Sequence, residues 1–243
     1  MAEITKDWIT LNVADGTTMR AYVARPQDTA QHTGLLVFQE AFGVNGHIRD
    51  VTGRFAREGY IAVAPELYHR TGPGFEGAYN NFEQVMPHVR ALTDQTLEAD
   101  VHSAYKWLRA DLGTLGQQIA CVGFCMGGRV TFLTNAILPV SAAVSFYGGG
   151  IAPSPAFPGL LGRAGDLHAP QLLFWGGLDK HIGPEQTGAV TESLRAAGKP
   201  FVNVEFSDAD HGFFCDARAS YPPSAAVQAW ALALTFLNIY AKR

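Results

Sequence analysis

The chain has 243 residues, 47% of them hydrophobic, enough for one large core, and no Pro/Gly/Ser-rich linker or charge run divides it, so a single domain over residues 1–243 is expected. Its formal net charge of −4 comes from interspersed acids and bases, which excludes the electrostatic footprint of a nucleic-acid binder. No apolar run reaches the roughly 18 residues needed to span a bilayer, the opening MAEITKDWIT has neither a basic leader nor an apolar core, and three cysteines fit no disulfide framework. A cytoplasmic chain with reduced thiols and no membrane partner is therefore expected.

Trp8–Val13 and Met19–Ala24 alternate apolar and polar residues around Asp15-Gly16, the pattern of an antiparallel hairpin. Gly34–Gln39, Tyr60–Ala64, Ile119–Val122, Ala142–Phe146 and Gln171–Trp175 are instead short continuous apolar runs, which suit strands of a parallel sheet covered on both faces; Val202–Phe206 supplies one more strand. Helical spacing falls between them. Asn45–Glu58 places Ile48, Val51, Phe55 and Ala56 on one stripe and ends at Gly59, and Thr96–Arg109 does the same with Leu97, Val101, Ala104, Tyr105 and Leu108. Arg129–Ala136, Pro184–Ala197 and Ser224–Tyr240 complete the helices. The order predicts an α/β chain: a mostly parallel central sheet with an antiparallel N-terminal hairpin and helices on both faces. Two long irregular stretches, Tyr68–Asn81 and Gly148–Pro170, are of the kind that borders binding sites.

The most informative segment is IACVGFCMGGR, Ile119 to Arg129. A strand must turn sharply into a helix across Gly123-Phe124-Cys125-Met126-Gly127, a G-x-C-x-G pattern in which a thiol replaces the hydroxyl of the serine nucleophile elbow. Read as the first helical residue, Cys125 would feel the positive helix N-terminus, which favours thiolate. A catalytic cysteine also needs a base and an orienting acid. Both lie downstream, each after a predicted strand: Asp179 in Gly176-Gly177-Leu178-Asp179, and His211 in Ser207-Asp208-Ala209-Asp210-His211-Gly212-Phe213. Nucleophile, acid, histidine is the chain order of α/β-hydrolases. Asp208 and Asp210 are rival acids, and His181 is the rival histidine. Glu40, directly after the strand GLLVFQ, is costly to bury unless something uses it.

QEAFGVN, GFCMGG, GGLD and DHGF, in that order and spacing from Trp8 to Tyr240, resemble the dienelactone hydrolase family of α/β-hydrolases. The resemblance implies that Cys125 is the nucleophile, Asp179 and His211 its triad partners, and Glu40 a carboxylate that takes the thiol proton when substrate binds. It implies an oxyanion hole from the N–H groups of Met126 and Ala41. The substrate would be a small lactone or carboxylic ester, with no metal and no organic cofactor, and a monomer is the default. One departure stands out: where the family has an arginine four residues past the histidine, this chain has Cys215. Arg218, Arg70 and Arg90 are the other cations considered for a substrate carboxylate, and Phe42, Tyr68, Phe75, Phe213 and Phe214 are candidates to line a more apolar pocket. A dinucleotide site fails because Cys125 stands where G-x-G-x-x-G needs glycine. A metal site from Cys121, Cys125, His211 and Cys215 lacks paired CxxC spacing. A non-catalytic protein on the same fold would be expected to have lost one of the catalytic groups, and all are present.

Overall fold

Asp15 closes the first hairpin. Its Oδ1 accepts from the N–H of Thr17 at 3.0 Å and from the Thr17 hydroxyl at 2.6 Å, while Gly16 takes the left-handed φ of 87° that the turn requires. Strands β1 (Ile4–Asn12) and β2 (Thr18–Pro26) pair antiparallel from Ile4 opposite Pro26 to Asn12 opposite Thr18. The computed structural model describes residues 3–112, 118–218 and 221–242, and the chain packs as two compact units, Met1–Ala120 and Cys121–Arg243.

In the first unit β3 (Thr33–Phe38) and β4 (Tyr60–Pro65) run parallel, and β2 lies antiparallel against β4, giving the order β1-β2-β4-β3. Helix α1 (Gly46–Arg57) joins β3 to β4 and buries Ile48, Val51, Phe55 and Ala56, the stripe expected from their spacing. Asn45 caps it by accepting the N–H of Ile48. Helix α2 (Phe82–Ala91) was not expected from the sequence: it contains Pro87 and buries only Val85 and Val89, so neither propensity nor periodicity marks it. Helix α3 (Asp94–Leu112) buries Leu97, Val101, Ala104 and Leu108 of the predicted stripe and, among them, Asp100, while Tyr105 is only half-buried.

Asp100 is wholly buried and its charge is matched locally. Arg70 donates to its two oxygens at 2.8 and 2.9 Å, and His69 Nε2 donates at 3.0 Å. Arg70 Nε also donates to Asp15 at 2.7 Å, which ties the loop after β4 to both the hairpin turn and α3. A bidentate guanidinium is the partner best able to offset the desolvation of such a carboxylate.

Strand β5 (Ile119–Phe124), which enters the second unit at Cys121, and β6 (Ala143–Phe146), β7 (Gln171–Gly176) and β8 (Phe201–Phe206) are parallel, in that order. Among the described residues the eight strands are thus mostly parallel, with the antiparallel pairings at the N-terminal end. Helices α4 (Met126–Ile137), α5 (Pro184–Ala196) and α6 (Pro223–Tyr240) follow β5, β7 and β8. The stretch Gly148–Pro170 holds one short 3-10 helix, Leu161–Asp166, too brief and glycine-rich to show a period. An aromatic cluster fills the core: Phe146 lies 4.8 Å from Phe124, 4.6 Å from Phe174 and 4.8 Å from Phe214, ring centre to ring centre. Among the described residues, no helix is long and apolar enough to cross a membrane.

Replacing Asp100 with Ala should cost about 3 kcal/mol or more, because it leaves the Arg70 guanidinium without its buried counter-charge. Urea unfolding of the two proteins checks it; an unchanged midpoint would contradict the structural role given to Asp100.

Candidate active site

Strand β5 runs two residues beyond its apolar core, to Phe124, and α4 begins at Met126. Cys125 between them is the N-cap, with φ 55° and ψ −118°, and not the first helical residue expected from the sequence. The reason is steric: the chain reverses within one residue, and that residue takes up the whole change of direction. A side chain with a Cβ is uncommon at positive φ, and sharp strand-to-helix elbows are one of the places where it occurs. Its N–H donates to the carbonyl of Phe146 on β6 at 3.0 Å, and its carbonyl accepts from Gly128 at 2.9 Å. A methyl at Gly123 would overlap the carbonyl of Gly127, and one at Gly128 would lie 2.6 Å from Ser145 Oγ, so glycine at both is a condition of the turn. Cys125 remains partly exposed.

The acid and the histidine sit on adjacent turns after β7 and β8. Gly177 donates to the carbonyl of Phe206 at 2.8 Å and Leu178 to that of Ala209 at 2.9 Å, which stitches the turns together. Cβ atoms at Gly176 and Gly177 would come within 2.6 Å of Ala209 O and 2.7 Å of Ser207 Cα, so the glycine pair permits this approach. Asp179 is buried, with three donors on its carboxylate: the N–H groups of His181 and Ile182 on Oδ1 at 2.7 and 3.0 Å, and His211 Nδ1 on Oδ2 at 2.7 Å. Burial pushes its pKa up, but the bond to His211, the charge of His211 and the two backbone N–H groups outweigh that, and the net shift is downward. Asp179 is an anion that holds the imidazole in one tautomer and one orientation.

With Nδ1 engaged by Asp179, the nitrogen left for the hydrogen bond between His211 and Cys125 is Nε2. Burial pulls the imidazole pKa down. The electrostatic influence of Cys125, the bond donated to Asp179, the bond shared with Cys125 and the charge of Asp179 act the other way and raise it to about 10. The upward shift favours a ring protonated at both nitrogens, held by the Asp179 carboxylate on one side and by Cys125 on the other. The edge of this ring meets Tyr147 at 5.2 Å and His181 at 5.6 Å, centre to centre.

The alternatives left open by the sequence now separate. Asp210 accepts the backbone N–H of His211 at 2.6 Å, so its carboxylate shapes the turn, and His181 supplies Asp179 with a backbone donor. Cys121 is wholly buried with its thiol near the carbonyls of Thr131 and Ala142, and burial pushes its pKa up, as for a packed thiol and not a metal ligand. Cys215 is buried as well. Phe213 and Phe214 are buried within the aromatic cluster, Phe213 at 5.2 Å from Tyr147 and Phe214 at 5.4 Å from Phe124. Arg218 Nη1 donates to the His211 carbonyl at 3.4 Å. Tyr147 was missed by the sequence reading. The signal in the sequence is a tyrosine placed directly after the apolar run Ala142–Phe146 and before three glycines; the structure shows it buried at φ 39°.

In the first unit Glu40 and Ala41 follow β3 and are buried. Phe42 packs edge-on against Tyr79 at 4.6 Å. Tyr68, considered for a pocket lining, is buried, and its hydroxyl donates to the carbonyl of Ala41 at 3.0 Å. Arg70, considered for a substrate carboxylate, has its guanidinium engaged by Asp100 and Asp15. Arg90 is exposed on α2.

The pKa of His211 lies above the ordinary imidazole value of 6.5, so the stabilisation it brings is complete below about pH 6.5 and is lost as pH rises through about 10. Nitrogen-15 NMR of the ring should show a midpoint near 10 in the wild type and a lower one in Cys125→Ala, which removes the neighbouring negative charge. Equal midpoints in the two proteins would contradict the pairing.

The model of the dienelactone hydrolase family matches residues 19–241. A protein of Synechocystis named "Putative carboxymethylenebutenolidase" is 39% identical over 216 residues, covering 86% of this chain and 87% of its own length. One of the same name from Escherichia coli O157:H7 is 36% identical over 237 residues, covering 93% and 84%. Among solved structures, "Putative Dienelactone Hydrolase" from Klebsiella pneumoniae superposes with a TM-score of 0.87 at 34% identity, over 98% of this chain and 100% of that one. The arrangement of strands and helices is that of the α/β-hydrolases, and the chain belongs to the dienelactone hydrolase family.

Proposed function

We propose that this hydrolase cleaves a lactone or simple carboxylic ester through a thioester intermediate on Cys125. The observation that carries the reading is the doubly held imidazole: His211 is bound by Asp179 at Nδ1 and by Cys125 on its other side. A proton resting on His211 leaves the sulfur as the nucleophile and stands ready for the leaving group.

The thiolate adds to the substrate carbonyl, forming a C–S bond while the π pair moves onto oxygen. Collapse of that intermediate breaks the C–O bond, and the departing alkoxide takes the proton from His211 Nε2. Water then attacks the thioester, His211 takes the water proton, and the C–S bond breaks to return the thiolate and release the acid. By the resemblance of QEAFG and GFCMG to the family's motifs, the N–H groups of Ala41 and Met126 hold the oxyanion, where donors matter most because the charge appears only in the transition state. By the same motif Glu40 is assigned a part in activating Cys125: it takes the thiol proton when substrate binds to a cysteine that is still protonated, while the proton given to the alkoxide is the one on His211.

The match over residues 19–241 supports reading the chain as one catalytic domain. Three cysteines without a disulfide among the described residues fit work in the cytoplasm. With Cys215 buried in the place of an arginine and Arg70 engaged elsewhere, the substrate favoured is an uncharged lactone or ester over one bearing a carboxylate.

A panel of a p-nitrophenyl ester, a neutral lactone and a dienelactone carboxylate, assayed with wild type and Cys125→Ala, tests the reading. Turnover should fall at least about a thousandfold in the variant, and the neutral substrates should be preferred. Wild-type turnover by a folded Cys125→Ala protein would overturn the assignment.

A further inference from the structure

The turn after β3 is tied down carbonyl by carbonyl. The carbonyl of Glu40 accepts from the side-chain Nε2 of Gln39 at 3.3 Å, that of Ala41 from the Tyr68 hydroxyl at 3.0 Å, that of Phe42 from the N–H of Gly77 at 3.0 Å, and that of Val44 from Arg49 at 2.7 Å. Gly43, at φ 80°, packs so closely on the carbonyl of Phe75 that no Cβ would fit. Residues 66–77 therefore form a cradle for this turn, and the cradle is itself anchored by the Arg70 and His69 bonds to Asp100.

One of these bonds has a consequence for catalysis. In a trans peptide the carbonyl of one residue and the N–H of the next lie in one plane and point in opposite directions, and among the described residues there is no cis peptide. Whatever fixes the carbonyl of Glu40 also fixes the N–H of Ala41. That group is Gln39, which is wholly buried and held at its other end as well, since its Oε1 accepts the N–H of Leu67 at 3.1 Å. A backbone donor on one side and a carbonyl acceptor on the other leave the amide a single orientation.

We propose that Gln39 is a positioning residue: by bridging the Leu67 N–H to the Glu40 carbonyl, it aims the Ala41 N–H as an oxyanion donor. The inference rests on the hydrolase reading above, which gives Ala41 that role. Gln39 does not touch substrate; it acts through the peptide plane it holds. Its loss should therefore weaken the transition state and leave substrate binding nearly unchanged.

Gln39→Met removes both the acceptor for Leu67 and the donor to Glu40, whereas Gln39→Glu keeps the acceptor and removes the donor only when ionised, so it is assayed across pH up to the alkaline limit of its stability. With p-nitrophenyl acetate, each folded variant should lose about tenfold in kcat with KM within about twofold of wild type. A trifluoromethyl ketone gives the second readout. The thiolate adds to its carbonyl carbon, the carbonyl pair moves onto oxygen and nothing leaves, so its affinity reports on the oxyanion donors; its Ki should rise about tenfold. If Gln39→Met does not fold, Gln39→Glu decides alone. A folded variant with wild-type kcat and Ki, or one altered only in KM, overturns the proposal. Cys125→Ala in the same assay separates the two claims: activity retained there sinks the hydrolase reading, while activity lost there but intact in the Gln39 variants sinks only this one.

Discussion

A cysteine held at φ 55° between a strand and a helix is the constraint on which the second unit turns. Once the chain reverses at Cys125, the neighbouring positions lose their freedom. Gly123 has no room for a Cβ beside the Gly127 carbonyl, and Gly128 none beside Ser145 and Gly148. The cysteine N–H is bonded to β6 and its carbonyl to the first turn of α4. Almost the whole of α4 is buried, so the helix that follows the elbow cannot tilt to relieve it. A thiol on a surface loop would have had the same chemistry available to it and none of this direction.

The electrostatics are built on the same scaffold. Asp179 and His211 come together because two glycines let the turns after β7 and β8 approach and bond through their backbones. Burying the Asp179 carboxylate is tolerable only because its three donors satisfy it, one of them the imidazole. The imidazole in turn is raised in pKa in spite of burial, since the neighbouring negative charges exceed the desolvation that opposes them. The Asp179 anion and the imidazole support each other's charged forms, and the imidazole joins the acid to the thiol in one hydrogen-bonded line.

Much of this was legible in the sequence, and the parts that were not have physical reasons. Short apolar runs gave away the buried strands, because a strand covered on both faces has no polar side to alternate with. The elbow was visible as glycines around a cysteine. Its detail was not: a G-x-C-x-G pattern shows that the chain must turn, but not that Cys125 alone takes the positive φ. Asp179 was preferred over Asp208 and Asp210 on placement, and the hydrogen bond to His211 now joins them across 32 positions. Helix α2 escaped notice because Pro87 argues against a helix and its buried face is two residues wide. Arg70 was weighed as a substrate ligand since its partners, Asp15 and Asp100, lie 55 and 30 residues away, and no local pattern reveals such pairs. The bond from the Tyr68 hydroxyl to the Ala41 carbonyl spans 27 positions and is hidden from the sequence in the same way.

The central claim is that Cys125 carries the acyl group between the two halves of the reaction. It is tested most directly by mixing enzyme with excess p-nitrophenyl acetate, quenching in acid within the first turnover, and mapping the acetyl group by peptide mass spectrometry. The account predicts acetyl on the peptide containing Cys125, appearing with a burst of nitrophenol and disappearing as substrate is exhausted. Steady release of nitrophenol with no acetyl on Cys125 at any quench time, or acetyl on another side chain that turns over at the catalytic rate, would contradict it.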